Sequence, residues 1–414
     1  MSESYLSRDA RLVLAAQILR GFAYGFGAVL VGVTLRDRHF SSAEVGVVLG
    51  AVVAGTAIAS VFIARYGDRI GRRRCYIGLY LLLAVTGVVF AFADQLWLLV
   101  LVALSGALST EVVESGPFTS LEQVMLATDL TGRERIRGFG LYNAVAAAAG
   151  ALGALAAGLP EVARSVWSGA PSDATWFLLF VPASLAGAAV AASLSAGVEA
   201  PSHIGQGPRE RLQRSRRSVW NLSALFALDS FGGGFVVQAF IAYWLSVRYG
   251  ASVGMLGVIF FAVALLQTGS FLVAPRLAER FGILRTMVFT HLPSNILLVL
   301  VPFAPNLASA VVLLLARTAL SQMDVPTRQA YVMALVDPDE RTPAAAYTNT
   351  ARYLTRPIGP VIAGAVQSTA LGAPFVIAGS IKGVYDLMIW RWFSHVPLPE
   401  ENAAPSAPHP VVAS

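Results

Sequence analysis

The chain has 414 residues, of which 56% are hydrophobic and 13% are charged, and its mean hydropathy is +0.65. This composition excludes a soluble enzyme and an intrinsically disordered chain, because both carry more charge and less hydrophobic sequence. The formal net charge of +6 comes from arginines in loops, without a basic stripe interleaved with aromatic residues, so nucleic-acid binding is not expected. The composition predicts a polytopic membrane protein.

Hydrophobic segments about as long as a bilayer is thick, roughly 20 residues each, occur twelve times along the chain. The first segment contains Gln17 and Arg20 and is not followed by small cleavage residues, so we expect it to be kept as a span and not removed as a signal peptide. The predicted spans are residues 11–34, 43–64, 75–93, 96–126, 136–158, 175–196, 219–247, 253–274, 284–303, 307–334, 342–367 and 372–393.

The longest polar segment between these spans divides the chain into two halves. Residues 197–218 contain two prolines and five arginines, which is typical of a flexible cytoplasmic linker. We therefore predict an N-terminal six-helix bundle at 1–196 and a C-terminal six-helix bundle at 219–394. The proline-rich residues 395–414 are predicted to form a disordered cytoplasmic tail.

Arginines occur mainly in alternate loops, which predicts the orientation of the chain because short cytoplasmic loops collect Lys and Arg. With the N-terminus inside, the even-numbered loops are the arginine-rich ones. This places both termini in the cytoplasm and the protein in the inner or plasma membrane. Outside the linker, the arginines of these loops are Arg65, Arg69, Arg72, Arg73, Arg74, Arg133, Arg135, Arg137, Arg276, Arg280, Arg285 and Arg341.

The two halves resemble one another, as expected for a transporter built from repeats around a central site. Residues 67–74 read Gly-Asp-Arg-Ile-Gly-Arg-Arg-Arg, and residues 278–285, at the equivalent place in the second half, read Ala-Glu-Arg-Phe-Gly-Ile-Leu-Arg. Pro117 of the fourth span likewise has a counterpart in Pro326 of the tenth span.

Twelve spans in two equivalent halves, an arginine-rich central segment and the loop motif at residues 67–74 together resemble the major facilitator superfamily of secondary transporters. The resemblance covers about residues 10–393 and implies an all-α fold of two pseudo-symmetric six-helix bundles, alternating access and a monomeric working unit. It also implies that the motif helps to latch the halves together when the cytoplasmic side is closed. The gating residues expected in the motif are Asp68, Arg69, Gly71 and Arg72.

A Gly-Pro pair in the fifth span marks many exporters of this superfamily. Here the fifth span lacks the proline, and the pair occurs instead as Gly359-Pro360 in the eleventh span. This departure weakens an assignment as a drug antiporter.

Ionisable side chains inside a membrane span are costly and are functional candidates for that reason. Within several spans they fall on one helical face at ~100° per residue, which predicts a polar cavity lined by spans 1, 4, 7, 10 and 11. The twelve residues are Arg20, Glu111, Glu114, Glu122, Asp229, Arg317, Asp324, Arg328, Arg352, Arg356, Lys382 and Asp386.

Each group of these residues has a predicted role. Guanidinium groups bind carboxylates and phosphates at two points, so the expected substrate-binding residues are Arg20, Tyr24, Asp229, Arg317, Asn349, Arg352 and Arg356. Like charges three residues apart favour protonation, so the expected proton-coupling residues are Glu111, Glu114 and Asp229. Depth along a continuous helix places Glu122 and Arg328 near the inner interface, where a pair between the halves would act as a gate together with Asp324.

The twelfth span and two isolated residues, His291 and Cys75, give further predictions. Lys382 and Asp386 are four residues apart on the twelfth span and are expected to form a structural ion pair. His291 has no Cys or His at metal-ligand spacing, and Cys75 has no partner, so neither a metal nor another cofactor is expected.

The sequence contains no catalytic triad and no phosphate-binding loop for ATP, which argues against an enzyme and for the use of an existing gradient. The favoured function is proton-coupled movement of a small polar or anionic organic solute, with the lipid bilayer, the solute and protons as partners. One alternative is a multidrug/proton antiporter for lipophilic compounds. A second is a membrane sensor on the same fold that transports nothing.

Overall fold

The computed structural model describes residues 7–110, 116–129, 132–199, 214–336 and 340–396, and these residues form helices joined by short turns. The α-helices are α1 Arg8–Asp37, α2 Ser42–Ile70, α3 Arg72–Phe92, α4 Leu96–Ala103, α5 Pro117–Asp129, α6 Gly132–Ala156, α7 Leu159–Val166, α8 Phe180–Ala192, α9 Arg216–Gly234, α10 Gln238–Tyr249, α11 Val253–Phe281, α12 Ile283–Leu300, α13 Leu307–Ser321, α14 Asp324–Leu335, α15 Arg341–Thr355, α16 Ile358–Gln367 and α17 Ala373–Phe393. Three short 3-10 segments at Asp173–Leu179, Ala196–Val198 and Val301–Phe303 complete them.

The helices form two bundles, α1–α8 and α9–α17, on either side of the central polar segment. Within the described ranges, nine helical segments are long and apolar enough to cross a membrane. The remaining predicted spans correspond to α4 with α5, to α15 with α16, and to α17. The prediction of an all-α membrane fold of two six-helix bundles is confirmed in this architecture.

Glycines close the turns between the second and third spans of each half. Gly71 ends α2 with φ 103°, and Gly282 ends α11 with φ 87°. These residues occupy equivalent positions in the two copies of the loop motif. A side chain at such a φ is strained, so glycine at this position permits the sharp reversal between consecutive spans.

Two glutamates fix the ends of the central segment. The Glu199 carboxylate accepts the backbone N–H groups of Arg72 and Arg73, at 2.7 and 3.3 Å, and so caps the start of α3. The Glu340 carboxylate accepts the backbone N–H groups of Arg214 and Ser215, at 2.9 and 2.8 Å. Each end of the connection is therefore attached to its own bundle.

The two bundles touch closely at the end of the molecule that lies away from both termini. A Cβ added at Gly46 of α2 would lie 2.4 Å from the Pro360 oxygen, and one at Gly32 of α1 would lie 2.4 Å from the Ala239 oxygen. A Cβ at Gly257 of α11 would likewise lie 2.6 Å from the oxygen of Ala154 in α6. The structure is therefore closed between the halves at this far end.

Substitution of Gly46 by alanine is expected to open the far end. The new methyl group meets backbone atoms of Pro360 and Gly364, which cannot rotate away, so the closed arrangement becomes less stable. A cysteine introduced at Tyr243, a residue 5% exposed that contacts Ser42 across the halves, reports the opening in a Cys75→Ser background.

We expect a membrane-impermeant maleimide to label this cysteine at least about fivefold faster in the Gly46→Ala protein, which corresponds to ~1 kcal/mol. Gly78→Ala is the matched control, because a Cβ there has no atom within 4 Å. Equal labelling rates in the two variants would show that the far-end contact does not control opening.

Candidate functional site

A polar cavity of about 220 Å³ lies between the two bundles. Among the described residues, the N-terminal bundle contributes only small residues to its wall, namely Gly25, Ala147, Gly150, Ala151 and Ala154. Within the same ranges, the C-terminal bundle contributes every charged residue of the wall, and these are Asp229, Arg317, Asp324, Arg328, Arg352, Arg356 and Lys382. The cavity therefore has one charged side and one small, uncharged side.

Close helix packing explains the uncharged side. A Cβ added at Gly25 of α1 would lie 1.9 Å from the Gly150 oxygen of α6, and one at Gly153 would lie 2.0 Å from the Phe22 oxygen. Small residues let two membrane helices approach at this distance. The approach leaves backbone and methyl groups, but no charge, at this side of the cavity.

The charged side carries a net positive charge. Its described part has five cationic side chains and two carboxylates, which gives a formal charge of +3 when His291, which also lines the cavity, is neutral. Four of the predicted substrate-binding residues line this cavity together: Asp229, Arg317, Arg352 and Arg356. Of the five spans predicted to line it, the fourth contributes no described residue to the wall.

Asp229 of α9 lies at the centre of the charged side. Its Oδ1 accepts a hydrogen bond from the Lys382 ammonium of α17, and its Oδ2 lies 3.3 Å from Nη1 of Arg328 on α14. The same Nη1 donates to Oδ2 of Asp324 at 2.7 Å. The expected Lys382–Asp386 pair is therefore wrong: the neighbouring helix supplies a closer carboxylate than the next turn of α17.

His291 of α12 is a site residue that the sequence reasoning missed. Its Nδ1 lies 2.7 Å from Oδ1 of Asp386, and its Nε2 lies 3.9 Å from Oδ1 of Asp229. Asn295, one turn further along α12, donates to Oδ2 of Asp386 at 2.8 Å. The spacing of His291 and Asn295 on one face of a hydrophobic span was the available signal for this polar cluster.

Two guanidinium groups in the cavity have nitrogen atoms without a partner. Nε of Arg317 and Nε of Arg352 are buried and donate to no carboxylate, carbonyl or hydroxyl oxygen among the described residues. An unpaired buried donor is unfavourable, and one on a cation is more so. Both arginines are therefore suited to receive an acceptor group from a ligand.

Arg20 and Glu122 form a separate, fully buried network inside the N-terminal bundle. Arg20 donates Nε and Nη2 to the two Glu122 oxygens at 3.0 and 2.7 Å. The hydroxyls of Tyr76 and Tyr142 donate to the same two oxygens at 2.7 and 2.6 Å. The Arg20 guanidinium also lies over the ring of Tyr24 at 5.2 Å, so each of its neighbours belongs to this bundle.

This network differs from the expected gate. Glu122 binds Arg20 and Arg328 binds Asp229 and Asp324, so the proposed Glu122–Arg328 pair between the halves is absent from this arrangement of the described residues. Arg20 and Tyr24 do not contribute to the wall of the cavity. Each of these ion pairs forms within one bundle.

The other predicted residues lie away from the cavity wall or outside the described ranges. Asp68 binds Arg72 at 2.7 Å near the end of α2, and Arg69 is exposed beside them. Asn349 is exposed on α15, outside the cavity wall. Glu111 and Glu114 fall outside the residues that the structure describes.

The fold and the cavity define a membrane protein of the secondary-transporter class, with two helical bundles around one polar site. The chain belongs to the Major Facilitator Superfamily, whose family model matches residues 13–360 and again residues 222–413. It is a transporter-family protein and not an enzyme.

Individual relatives agree with this assignment. An uncharacterized membrane protein of Saccharomyces cerevisiae, YJR124C, is 25% identical over 418 residues, which cover 92% of this chain and 93% of the relative. The solved nucleoside transporter NupG is similar with a TM-score of 0.69 at 13% identity, covering 93% of this chain and 99% of that chain. A bacterial homologue of the human lysosomal transporter Spinster, in an inward-facing and occupied conformation, has a TM-score of 0.68 at 16% identity and covers 95% and 98% of the two chains. At these identities the solved structures show the fold alone.

Proposed function

We propose that the protein transports a small organic anion across the inner or plasma membrane, coupled to protons and by alternating access, with both termini in the cytoplasm. The observation that carries this proposal is the pair of guanidinium nitrogens, on Arg317 and Arg352, that have no partner among the described residues, in a cavity whose described wall has a formal charge of +3. A carboxylate or phosphate group satisfies such donors with charge-assisted hydrogen bonds. Arg356 contributes further positive charge at the same wall.

The proposed proton coupling follows from competition for the same cations. Asp229 binds Lys382 and Arg328, which are the groups that an anionic solute in the cavity also attracts. A proton on Asp229 weakens both contacts and raises the charge of the cavity by one unit, so the proton and the anion favour each other's binding. Glu111 and Glu114 remain additional proposed coupling residues.

Alternating access is proposed to occur by movement of one bundle against the other. The far-end contacts at Gly46 and Gly32 close one side, and opening them must be accompanied by closure at the end that carries the termini. The loop-motif residues at that end are proposed to take part in its closure, and they are Asp68, Arg69, Gly71 and Arg72. Asp324 and Arg328 are proposed to move with α14 during this change.

Export of lipophilic cations is disfavoured by the charge of the cavity, because a cation entering a wall of charge +3 is repelled. Uptake into proteoliposomes distinguishes these functions. With an acidic exterior, we expect small carboxylates or phosphates to accumulate, and uncharged analogues and lipophilic cations not to do so. Binding without movement would identify the non-transporting sensor, and cation movement would identify the multidrug antiporter.

Substitution of Arg317 by glutamine is expected to reduce anion uptake by about 10- to 100-fold, because it removes one charged contact of ~1.5–3 kcal/mol. Arg317→Lys retains the charge without the two-point geometry and should give an intermediate rate. Arg248→Gln, at an exposed position on α10, is the control and should transport normally. Equal uptake by the Arg317→Gln and Arg248→Gln proteins contradicts the assignment of Arg317 to the site.

A further inference from the structure

Asp386 differs from the other deeply buried carboxylates of the two bundles. Glu122 binds Arg20, Asp229 binds Lys382 and Arg328, and Asp324 binds Arg328. Asp386, which is 0% exposed, has only His291 and Asn295 as hydrogen-bond partners among the described residues. Its negative charge is therefore not compensated by a lysine or an arginine.

An uncompensated carboxylate at this depth is very unfavourable, and proteins avoid it by pairing the charge or by binding a proton. His291 provides the means for both. With one proton added to the pair, an imidazolium faces a carboxylate at 2.7 Å, or a neutral imidazole faces a carboxylic acid, and the net charge is zero in either form. The pair is thus better suited to burial with this proton than without it.

The surroundings of His291 contain charged and titratable groups on three other helices. Asp229 on α9 approaches Nε2 from the side of the cavity. Arg328 and Asp324 lie on α14, and they are bound to each other and, through Arg328, to Asp229. From α17, Tyr385 packs its ring edge-on at 5.9 Å and Lys382 binds Asp229. Each cation in this set already binds a carboxylate, whereas Asp386 binds no lysine or arginine among the described residues.

The two nitrogens of His291 face different environments. Nδ1 is directed at Asp386, which is sealed from solvent, and Nε2 faces Asp229 at the cavity that His291 lines. A proton arriving from the cavity therefore reaches the pair at Nε2. As long as Nδ1 carries a hydrogen bonded to Asp386, Nε2 is the free basic atom.

We propose that His291 and Asp386 form a second proton-binding site, separate from Asp229, and that its occupancy promotes the binding of the transported anion. This inference rests on the proposed function of anion transport. Protonated Nε2 becomes a donor directed at Oδ1 of Asp229, the oxygen that Lys382 binds. The ammonium of Lys382 is then held less tightly and becomes available to an anion in the cavity.

Coupled binding of a proton and the anion makes the affinity for the anion depend on pH. If this pair binds one proton with each anion, it contributes up to about tenfold per pH unit to the fall of the apparent anion affinity where the pair titrates, in addition to the contribution of Asp229. The measurement is equilibrium binding to purified protein between pH 5.5 and 8.5, with a small carboxylate or phosphate identified in the uptake experiment as the probe. Proton uptake on binding is recorded in the same samples in weakly buffered solution.

The test variants are His291→Gln, Asp386→Asn and the double variant that combines them. We expect His291→Gln to lose the contribution of the pair, so that proton uptake on anion binding falls by up to one proton and the pH dependence of anion affinity becomes up to about tenfold per pH unit weaker than in the native protein, with affinity at low pH reduced. A single substitution can leave one uncompensated group and so prevent folding. The double variant keeps the cluster polar and uncharged, so it can still be measured in that case. His395→Gln, at an exposed position, is the matched control and should match the native protein.

Two results would overturn the proposal. One is an unchanged proton uptake and pH dependence in the double variant, which would leave Asp229 or another acid as the coupling residue. The other comes from NMR with ¹⁵N-labelled histidine and ¹³C-labelled aspartate: a neutral ring at position 291 with an ionised Asp386 throughout pH 5.5–8.5 contradicts a proton at this pair. Failure of the proposed function is distinguishable, because the native protein would then bind no anion at any pH while the NMR titration still reports on the pair.

Discussion

Asn in place of Asp229 is expected to abolish accumulation of anions against a gradient while leaving anion binding intact or strengthening it. The substitution removes the carboxylate that binds Lys382, and it leaves Arg328 with Asp324 as its carboxylate partner. Removing one member of a buried ion pair costs about 3–5 kcal/mol. If the pair must form in each transport cycle, this cost corresponds to a loss of more than about 100-fold in driven transport. The cavity charge rises by one unit, so we expect anion binding to tighten by about tenfold.

Driven uptake, counterflow and equilibrium binding in the same preparations separate these effects. Asp94→Asn is the control, because Asp94 is a surface carboxylate with 77% of its side chain exposed. A second variant, Asp229→Asn combined with Lys382→Met, removes both members of the pair and should fold at least as well as the single variant. Normal driven uptake by Asp229→Asn would exclude Asp229 from coupling and leave the His291–Asp386 pair as the remaining described candidate.

The fold was predictable because span length depends on the bilayer and not on tertiary contacts. The glycine turns at Gly71 and Gly282 are likewise local features of the sequence. The charged face shared by Arg317, Asp324 and Arg328 was also predictable, since helical periodicity decides it. These features define which residues face a common cavity.

The pairing of the charges was less predictable, because a partner on another helix competes with a partner one turn away. Lys382 binds Asp229, although Asp386 is its neighbour in sequence, and Asp386 turns to α12 instead. Helix rotation and tilt decide which partner a side chain binds. Hydrophobic periodicity predicts only the helix face on which the side chain lies. His291 was missed for the same reason, since both of its carboxylate neighbours belong to other helices.

The depth of Glu122 was misjudged for a definite structural reason. The prediction treated residues 96–126 as one continuous helix with a rise of ~1.5 Å per residue. In the structure α4 ends at Ala103, residues 104–110 are non-helical with Gly106 at φ 75°, and α5 begins at Pro117. This interruption brings Glu122 to the level of Arg20, where the two side chains bind.

Alanine in place of Glu122 is expected to have the largest effect on stability. It removes the acceptor of four hydrogen bonds and leaves Arg20, which is 1% exposed, without a counter-ion. Loss of one member of a buried pair costs about 3–5 kcal/mol, whereas Asp37→Asn, at an exposed pair with Arg36, should change stability by less than ~1 kcal/mol. Thermal unfolding in detergent, followed by tryptophan fluorescence, measures both.

The combined variant Arg20→Met with Glu122→Met decides whether this network is structural or functional. Removing both charges leaves no uncompensated ion, so most of the stability lost in Glu122→Ala should return, although the hydroxyls of Tyr76 and Tyr142 lose their acceptor. If Arg20 and Glu122 only brace the N-terminal bundle, the stable double variant transports anions at a rate near that of the native protein. A double variant that is stable but inactive would instead support the sequence-based roles of Arg20 in substrate binding and Glu122 in gating, because stability alone would then not account for the requirement.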